Sequence, residues 1–165
     1  MPQSESMGYN VSSNLFGGDT MLIDQISVFL ENKQGRLAEV TRVLGENNID
    51  ISALSIADTT DFGVLRLIVN YPDKAIEILQ QHGFAASKNS VIAIEVEDKP
   101  GGLAKALSVL DKKGISIEYM YAFVGTCRNE NAMVIIRVEN PENALEILKN
   151  EEFVIKSPAD VYRNS

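Results

Sequence analysis

The sequence predicts an α+β fold made of two tandem βαββαβ units, each an antiparallel sheet with its helices on one face. Three observations support this prediction. The chain has 165 residues, 45% of them hydrophobic and 23% charged, which suits one medium globular domain or two small ones. Beyond residue 20 the sequence repeats itself. Within each copy, runs with strand character alternate with runs of helical spacing.

The repeat is a tandem duplication. A shift of 66 residues places positions 26–51 over 92–117, and ten of those 26 positions are identical, where composition alone would give roughly two. The match then resumes at a shift of 69, after a three-residue insertion in the second copy before Asn131. An insertion of this kind predicts a loop.

Each copy opens on a short apolar run with β-branched residues, 25–30 and 91–96, which predicts a strand. A glycine-containing turn follows, and then apolar residues recur at helical spacing. These residues are Leu37, Val40, Thr41 and Leu44 in the first copy, and Leu103, Ala106, Leu107 and Leu110 in the second. Asn47 and Asn48, or Lys113 and Gly114, are expected to end these helices, because Asn and Gly tolerate a left-handed cap.

Two further strands and a second helix complete each copy. A strand begins at residue 49 or 115, and the next spans 63–69 or 132–138. Pro72 and Pro141 suit the first turn of a shorter helix, and a last strand follows Gly83 or Glu152. This order is the ferredoxin-like split βαβ unit. Because one small sheet leaves a face or an edge exposed, we expect the two copies to pair.

The repeat divides the chain into four segments. Residues 1–20 lack periodicity and are rich in Ser, Asn and Gly, so we interpret them as a disordered tail or a cloning remnant, with Met21 a plausible second start. The first domain is expected at 21–89 and the second at 90–156. Residues 157–165 are expected to form a C-terminal turn or tail, with Ser157 as a helix cap and Pro158 after it.

Composition excludes several classes of function. The net charge of −8 is spread evenly, so nucleic acid and anionic membranes are disfavoured as partners. One cysteine, Cys127, and one histidine, His82, leave no disulfide and no Cys/His metal cluster. The sequence contains no recognisable nucleophile or acid/base pair, no bilayer-length apolar run and no secretory signal. It therefore predicts a cytoplasmic, non-enzymatic protein without a cofactor.

The junction between the first strand and helix has the clearest chemical content. It covers residues 32–37 in one copy and 98–103 in the other. A glycine turn before a helix N-terminus suits a carboxylate, because first-turn N–H groups are unpaired and the helix dipole is positive there. Asn32 or Asp98 could then hold an ammonium group, together with Asp50 or Ser116, which we expect at the same end of the sheet. Together these groups would bind the carboxylate and the ammonium of a free α-amino acid. Alternatively, Asn32 and Asp98 only cap their helices.

The run Asp98-Lys-Pro-Gly-Gly-Leu103, opening a βαββαβ unit, resembles the ACT domain family, and the whole of residues 22–156 resembles a stand-alone tandem ACT-domain protein. ACT domains are regulatory modules that bind amino acids or similar ligands, usually where two domains lie side by side. The resemblance places ligand contacts at Asn32, Gly35 and Asp50, and at Asp98, Gly101 and Ser116. The adjoining loop residues complete the candidate site: Lys33, Arg36, Leu37, Pro100, Gly102 and Leu103.

The two copies also differ. Gln34 replaces the motif's proline in the first copy and Arg36 follows its glycine, so Arg36 either adds a carboxylate contact or is solvated. In the second copy, Glu118 either pairs with a ligand ammonium across the domain interface or is solvated. Tyr119 and Tyr121 either line a ligand side-chain pocket or pack on the helices.

We therefore expect a regulatory sensor that binds an amino acid between its repeats and acts on an unidentified regulated protein, as a homodimer. The alternative is a protein-protein interaction scaffold that uses its sheets to dimerise without ligand.

Overall fold

The computed structural model describes residues 20–58, 61–123 and 131–162. Residues 1–19 of the expected tail, and Cys127, lie outside these ranges. The first half contains β1 (Leu22–Glu31), α1 (Arg36–Glu46), β2 (Ile51–Asp58), β3 (Phe62–Val69) and α2 (Pro72–Gln81). The second half contains β4 (Ala85–Glu97), α3 (Gly102–Lys112), β5 (Ile117–Ala122), β6 (Asn131–Val138), α4 (Pro141–Asn150), β7 (Val154–Ile155) and α5 (Pro158–Val161). The βαββαβ order is confirmed in both copies.

One long strand joins the two copies. The predicted last strand of the first copy and first strand of the second are continuous in β4, because residues 85–97 contain no Gly or Pro to break them. Its first part pairs with β1, and its second part pairs with β6 and briefly with β7, all antiparallel. The strand order is β2-β3-β1-β4-β6-β5. The two copies therefore pair within one chain, and position 89/90 lies inside a strand.

Helices α1 and α2 pack on one face of the first half of the sheet, and α3 and α4 pack on the same face of the second half. The buried stripe of α1 is Val40, Val43 and Leu44. Two residues predicted for that stripe do not belong to it: Leu37 is 43% exposed, and Thr41 is exposed and donates its hydroxyl to the carbonyl of Ala38 at 3.0 Å. The first turn of α1 therefore presents an uncovered apolar side chain.

The helix ends depend on left-handed residues at equivalent positions. Asn48 and Gly114 follow α1 and α3 with φ of 57° and 71°, as the sequence predicted. Gly83 and Glu152 follow α2 and α4 with φ of 81° and 61°. Glycine adopts this conformation without steric cost, whereas Asn and Glu adopt it with some strain. The duplication has thus kept the backbone path while changing the residue.

The helix-free side of the sheet, called here the inner face, forms a third core shared by both halves. The sheet curls, so that β2 and β5 at the two ends of the strand order come into contact. The buried residues of this core are Ile23, Ala53, Ile68, Val91, Ala93, Ile135 and Val161. Val161 belongs to α5, whose N-terminus carries the expected cap by Ser157, in a capping box with Asp160. The C-terminal turn therefore packs against the inner core.

Candidate functional site

The loops between β1 and α1 and between β4 and α3 have the same backbone conformation. Gly35 and Gly101 occupy the N-cap positions with φ of 88° and 87°, which favours glycine strongly. Neither helix has a side chain that caps its first turn. The alternative in which Asn32 and Asp98 serve as helix caps is therefore wrong.

The N–H groups available to a ligand begin at the second residue of each helix, one residue later than the sequence suggests. The N–H groups directly after the two glycines, on Arg36 and Gly102, donate to the carbonyls of Lys33 and Lys99 at 3.3 and 3.0 Å. The next two N–H groups of each helix have no acceptor within the part of the chain that the structure describes. They belong to Leu37 and Ala38 in α1, and to Leu103 and Ala104 in α3. An anion at either helix would bind these groups.

The side chain of Arg36 is partly buried against its own domain. Its guanidinium lies 4.4 Å from the centre of the Phe84 ring, and its Nη1 is 2.7 Å from Oε2 of Glu39. Its Nε is buried and has no hydrogen-bond partner among the described residues. The side chain is thus held against the domain beside the loop, with one donor still unused.

The matching position in the second copy cannot hold any side chain. A Cβ at Gly102 would lie 2.0 Å from the carbonyl oxygen of Glu97, a distance at which atoms overlap. Arg36 occupies the equivalent place in α1 (36 + 66 = 102). The start of α3 therefore lies closer to its strand than the start of α1 does.

A cleft of about 170 Å³ opens at the first loop. Four of the predicted site residues line it: Asn32, Lys33, Arg36 and Leu37. Sequence reasoning missed the rest of the lining, which is Leu30, Glu31, Ile56, Asp58 and Gly63. Ile56 is 48% exposed, so the cleft combines an uncovered apolar wall with the carboxylate of Asp58. The ammonium of Lys33 lowers the pKa of Glu31, which keeps that carboxyl ionised.

A second cleft, of about 210 Å³, lies at the loop before α3. Gly102 is the only predicted site residue in its lining; Asp98, Pro100, Gly101 and Leu103 do not line it. The lining is otherwise Glu95, Val96, Glu97, Lys105, Asn131, Glu152, Phe153 and Val154. Two of its three carboxylates are paired with lysines, since Glu97 lies 3.0 Å from Lys99 and Glu95 lies 2.5 Å from Lys156. These ion pairs lower the pKa of both glutamates.

Asp50 and Ser116 do not lie beside the loops of their own domains, so that expectation is wrong. A helix that returns along the sheet delivers the chain to the far end before the next strand starts. Asp50 precedes Ile51, which is opposite Val69, whereas the loop follows Glu31, which is opposite Phe62. The two ends of β3 are about 23 Å apart. Asp50 instead donates its N–H to Oδ1 of Asn70 at 3.0 Å.

The two loops also lie far from each other. The first follows β1 at the Ala85 end of β4, and the second follows Glu97 at the other end. Thirteen residues of strand separate them, or about 40 Å. One chain therefore does not bring both loops into a single site.

Strand β5 of the second copy contacts the first domain and lines neither loop cleft. Buried Gln25 donates to the hydroxyl of Tyr119 and accepts from the hydroxyl of Tyr121, both at 2.8 Å. Burial raises the pKa of Tyr121, so its hydroxyl stays protonated as a donor. Tyr119 also stacks under the guanidinium of Arg66 at 3.7 Å. Glu118 lies 3.3 Å from Nε of Arg137. This strand thus contacts the first domain through its two tyrosines.

Residues 20–58, 61–123 and 131–162 contain no group of three His, Cys, Asp or Glu side chains arranged to hold a metal ion. Among the same residues, no helix is long and apolar enough to cross a membrane.

Comparison with known proteins agrees with this architecture. A family model described as an ACT domain pair matches residues 21–160. No curated protein matches the chain. Among solved structures, protein BT0572 from Bacteroides thetaiotaomicron is 44% identical with a TM-score of 0.82, covering 89% of this chain and 100% of that one.

More distant structures share the fold. The regulatory subunit of aspartate kinase from Thermus thermophilus is 20% identical with a TM-score of 0.58, covering 79% of this chain and 94% of that one. The corresponding subunit from Thermus flavus is 19% identical with a TM-score of 0.54, covering 77% and 90%.

Proposed function

The chain belongs to the ACT domain family as a tandem pair of domains, and from that premise we propose that it is a non-enzymatic regulatory protein that binds a free amino acid at the first loop. The observation that carries the proposal is the pair of unpaired N–H groups on Leu37 and Ala38, at the mouth of a partly apolar cleft. A tandem ACT pair resembles the regulatory subunits among its neighbours rather than a catalytic domain. A cytoplasmic location fits its single cysteine.

The first cleft provides a partner for each part of an amino acid. The carboxylate would bind the N–H groups of Leu37 and Ala38, where the helix dipole favours negative charge. The ammonium would bind the carboxylate of Asp58, which lines the same cleft. Leu37 and Ile56, 43% and 48% exposed, would contact an apolar side chain. The second cleft is a weaker candidate, because Asp98, Pro100, Gly101 and Leu103 of its loop do not line it.

A second copy of the chain would complete this cleft. Strand β2 lies at the end of the strand order, so within the described residues one of its edges has no partner strand. Leu54 and Ile56 on this strand are 45% and 48% exposed. A twofold axis beside β2 would pair it antiparallel with β2 of another copy. Each loop would then lie next to Asp50 of the second copy. Dimerisation thus supplies the acceptor that the same chain leaves at the far end of its sheet.

Ligand binding at such an interface would favour one arrangement of the two copies over others, because the ligand contacts both. That preference is the signal the regulated protein would detect. If β2 pairs between copies and no amino acid binds, the protein is instead a scaffold.

A thermal-shift panel of the twenty amino acids tests the proposal. At a hundredfold excess over the dissociation constant, a ligand adds roughly 2.7 kcal/mol, which is several degrees for a protein of this size. We expect at least one amino acid, with an apolar side chain, to give such a shift, and Asp58→Asn to abolish it. Asp61→Asn, which changes an exposed neighbour outside the cleft lining, is the matched control and should keep the shift. No shift with any amino acid would favour the scaffold.

A further inference from the structure

Arg66 is a charged side chain on the inner face that has no opposite charge beside it among the described residues. It lies on β3 between Leu65 and Leu67, which belong to the helix-side core, so its own side chain is on the inner face. The other three arginines of the described ranges each pair with a glutamate, at 2.7, 2.9 and 3.3 Å. In a chain with a net charge of −8, this unpaired arginine is an exception.

The guanidinium of Arg66 is held in position, but its hydrogen-bond donors are not used. It lies 3.7 Å from the centre of the Tyr119 ring, and the hydroxyl of Tyr119 accepts a hydrogen bond from Gln25 at 2.8 Å. The guanidinium donates no hydrogen bond to any residue in the described ranges, and its Nε is buried. A half-buried cation with five N–H donors and no acceptor favours the binding of an anion.

Serine hydroxyls flank Arg66 across the sheet. Ser55 on β2 and Ser27 on β1 lie opposite Arg66, and Ser87 on β4 lies opposite Ser27. Opposite residues of antiparallel strands have Cβ atoms about 5 Å apart, so an anion on the guanidinium would also lie near a serine. The hydroxyl of Ser27 donates to Asn89 at 3.1 Å, whereas the hydroxyl of Ser55 has no partner among the described residues. Ser55, Arg66, Ser27 and Ser87 are called here the arginine row.

The duplication provides an internal control for the arginine row. The residue equivalent to Ser27 is Ala93 (27 + 66 = 93), and the residue equivalent to Arg66 is Ile135 (66 + 69 = 135). Both are fully buried in the core of the inner face. The same backbone positions therefore accept apolar side chains that pack well. Because the fold does not require a charge there, the unpaired guanidinium of the first half points to another role.

The arginine row is accessible to a solute. Ser87 is exposed, and Arg66 and Ser55 are half-buried. Val161 of α5, by contrast, is buried in the apolar core of the same face. A half-buried cation attracts an anion more strongly than a fully exposed one does, because the local dielectric constant is lower. The row thus combines access with an environment that strengthens charge interactions.

We propose that the arginine row is a second ligand site, and that it binds a small oxyanion, either a carboxylate or a phosphate group. The oxygens of the anion would accept hydrogen bonds from the guanidinium of Arg66 and from the hydroxyl of Ser55. Because Tyr119 of the second domain stacks on the same guanidinium, a bound anion would stabilise the contact between the domains.

This site is separate from the cleft at the first loop. Ile56 of that cleft lies opposite Leu65, which belongs to the helix-side core. The cleft is therefore on the helix side of the sheet, and the arginine row is on the inner face. The proposal thus does not depend on amino-acid binding at the first loop.

Thermal unfolding of the full-length protein in sodium acetate and in sodium phosphate, with NaCl keeping the ionic strength constant, tests the proposal. We expect at least one of these salts to raise the Tm in a saturable way, by several degrees at a hundredfold excess over the dissociation constant. Arg66→Ile, which copies the second half, should abolish this rise. Arg66→Lys should weaken binding about tenfold, because lysine lacks the guanidinium fork.

Arg42→Ala is the matched control. It removes the same charge from α1, where Arg42 pairs with Glu46, and it should keep the saturable rise. Non-specific stabilisation by salt would be the same in the parent and in all the variants.

Two comparisons distinguish this site from the first loop. Ala38→Pro, which removes an N–H group from the first turn of α1, should keep the anion-dependent rise. Arg66→Ile should keep the thermal shift given by an amino acid. Failure of one site can therefore be told from failure of the other.

The proposal is overturned if neither salt gives a saturable rise, or if the rise persists in Arg66→Ile. It is also overturned if Ala38→Pro abolishes the rise, because the anion then binds at the helix. If Arg66→Ile does not fold, unchanged binding in both Arg66→Lys and Ser55→Ala overturns it. A rise with acetate alone assigns a carboxylate ligand, and a rise with phosphate alone assigns a phosphate group.

Discussion

The two domains are the same fold with different chemistry, and their differences are concentrated where a ligand or a partner could bind. Both place a left-handed glycine before the first helix and leave the second and third N–H groups of that helix without an acceptor among the described residues. The first domain surrounds those donors with uncovered Leu37 and Ile56. The second brings its helix onto the strand at Gly102, and its cleft is lined by Glu95, Glu97 and Glu152. Duplication thus preserved the backbone, while the side chains around the two loops diverged.

The largest expected loss of stability is at Gly102, where the start of α3 approaches the backbone of β4. Gly102→Ala should destabilise the protein by about 3 kcal/mol, because its Cβ would overlap the Glu97 carbonyl. Arg36→Ala at the equivalent position should cost about 1 kcal/mol or less, since it loses a partly exposed ion pair and a ring contact. Urea unfolding of both variants measures the difference. Equal costs would mean that the two helix starts pack alike.

The next largest loss of stability should come from the hydrogen bonds between Gln25 and the two tyrosines of β5. Gln25→Ala leaves the hydroxyls of Tyr119 and Tyr121 without their partner in a buried place, at a cost of about 2 kcal/mol. The matched variant Gln81→Ala removes an exposed amide that bonds only Glu77, and it should change stability by less than about 0.5 kcal/mol. Chemical denaturation followed by tyrosine fluorescence reports both. A Gln25→Ala protein as stable as the parent would show that these hydrogen bonds do not hold the domains together.

The shared glycines should behave alike. Gly35→Ala and Gly101→Ala each force a side chain into the left-handed region, which costs about 1–2 kcal/mol. No atom lies within 4 Å of the Cβ position at either glycine, so the cost is conformational. Thermal unfolding should give the same loss for both variants. A loss at only one of them would mean that the two loops are not equivalent.

The smallest expected loss of stability, at Glu95, should depend on pH. Lys156 and Asn131 lower the pKa of Glu95 in the folded protein, so their contribution to stability is present above the unfolded value near 4.3. It is lost as pH falls through the folded pKa. Glu95→Gln should therefore cost about 1 kcal/mol at pH 7 and less at pH 3. Urea titrations at the two pH values give the comparison, and a cost that stays constant with pH would contradict this assignment.

Much of the fold could be predicted because the repeat displays each element twice. The helix starts at Pro72 and Pro141 and the left-handed ends at Asn48 and Gly114 follow from local chemistry. The continuity of β4 could not be predicted, because a strand that ends and one that begins look the same when no breaker separates them.

The candidate site was harder to predict than the fold. The loop glycines were identified from the sequence, but Ile56 and Asp58 reach the first cleft from β2, through strand pairing that the sequence does not display. Asp50 was misplaced because the return of α1 along the sheet moves the start of β2 to the far end. The bond between Lys156 and Glu95 depends on how the tail folds back. Such long-range contacts leave no local pattern.

The most direct test of the account removes one donor from each helix. Ala38→Pro and Ala104→Pro each delete a first-turn N–H that no hydrogen bond of its helix uses. Isothermal titration of the amino acid with the largest thermal shift is then compared for the parent and both variants. The account predicts that Ala38→Pro weakens binding about tenfold or more while Ala104→Pro binds like the parent. Unchanged binding in Ala38→Pro would contradict it.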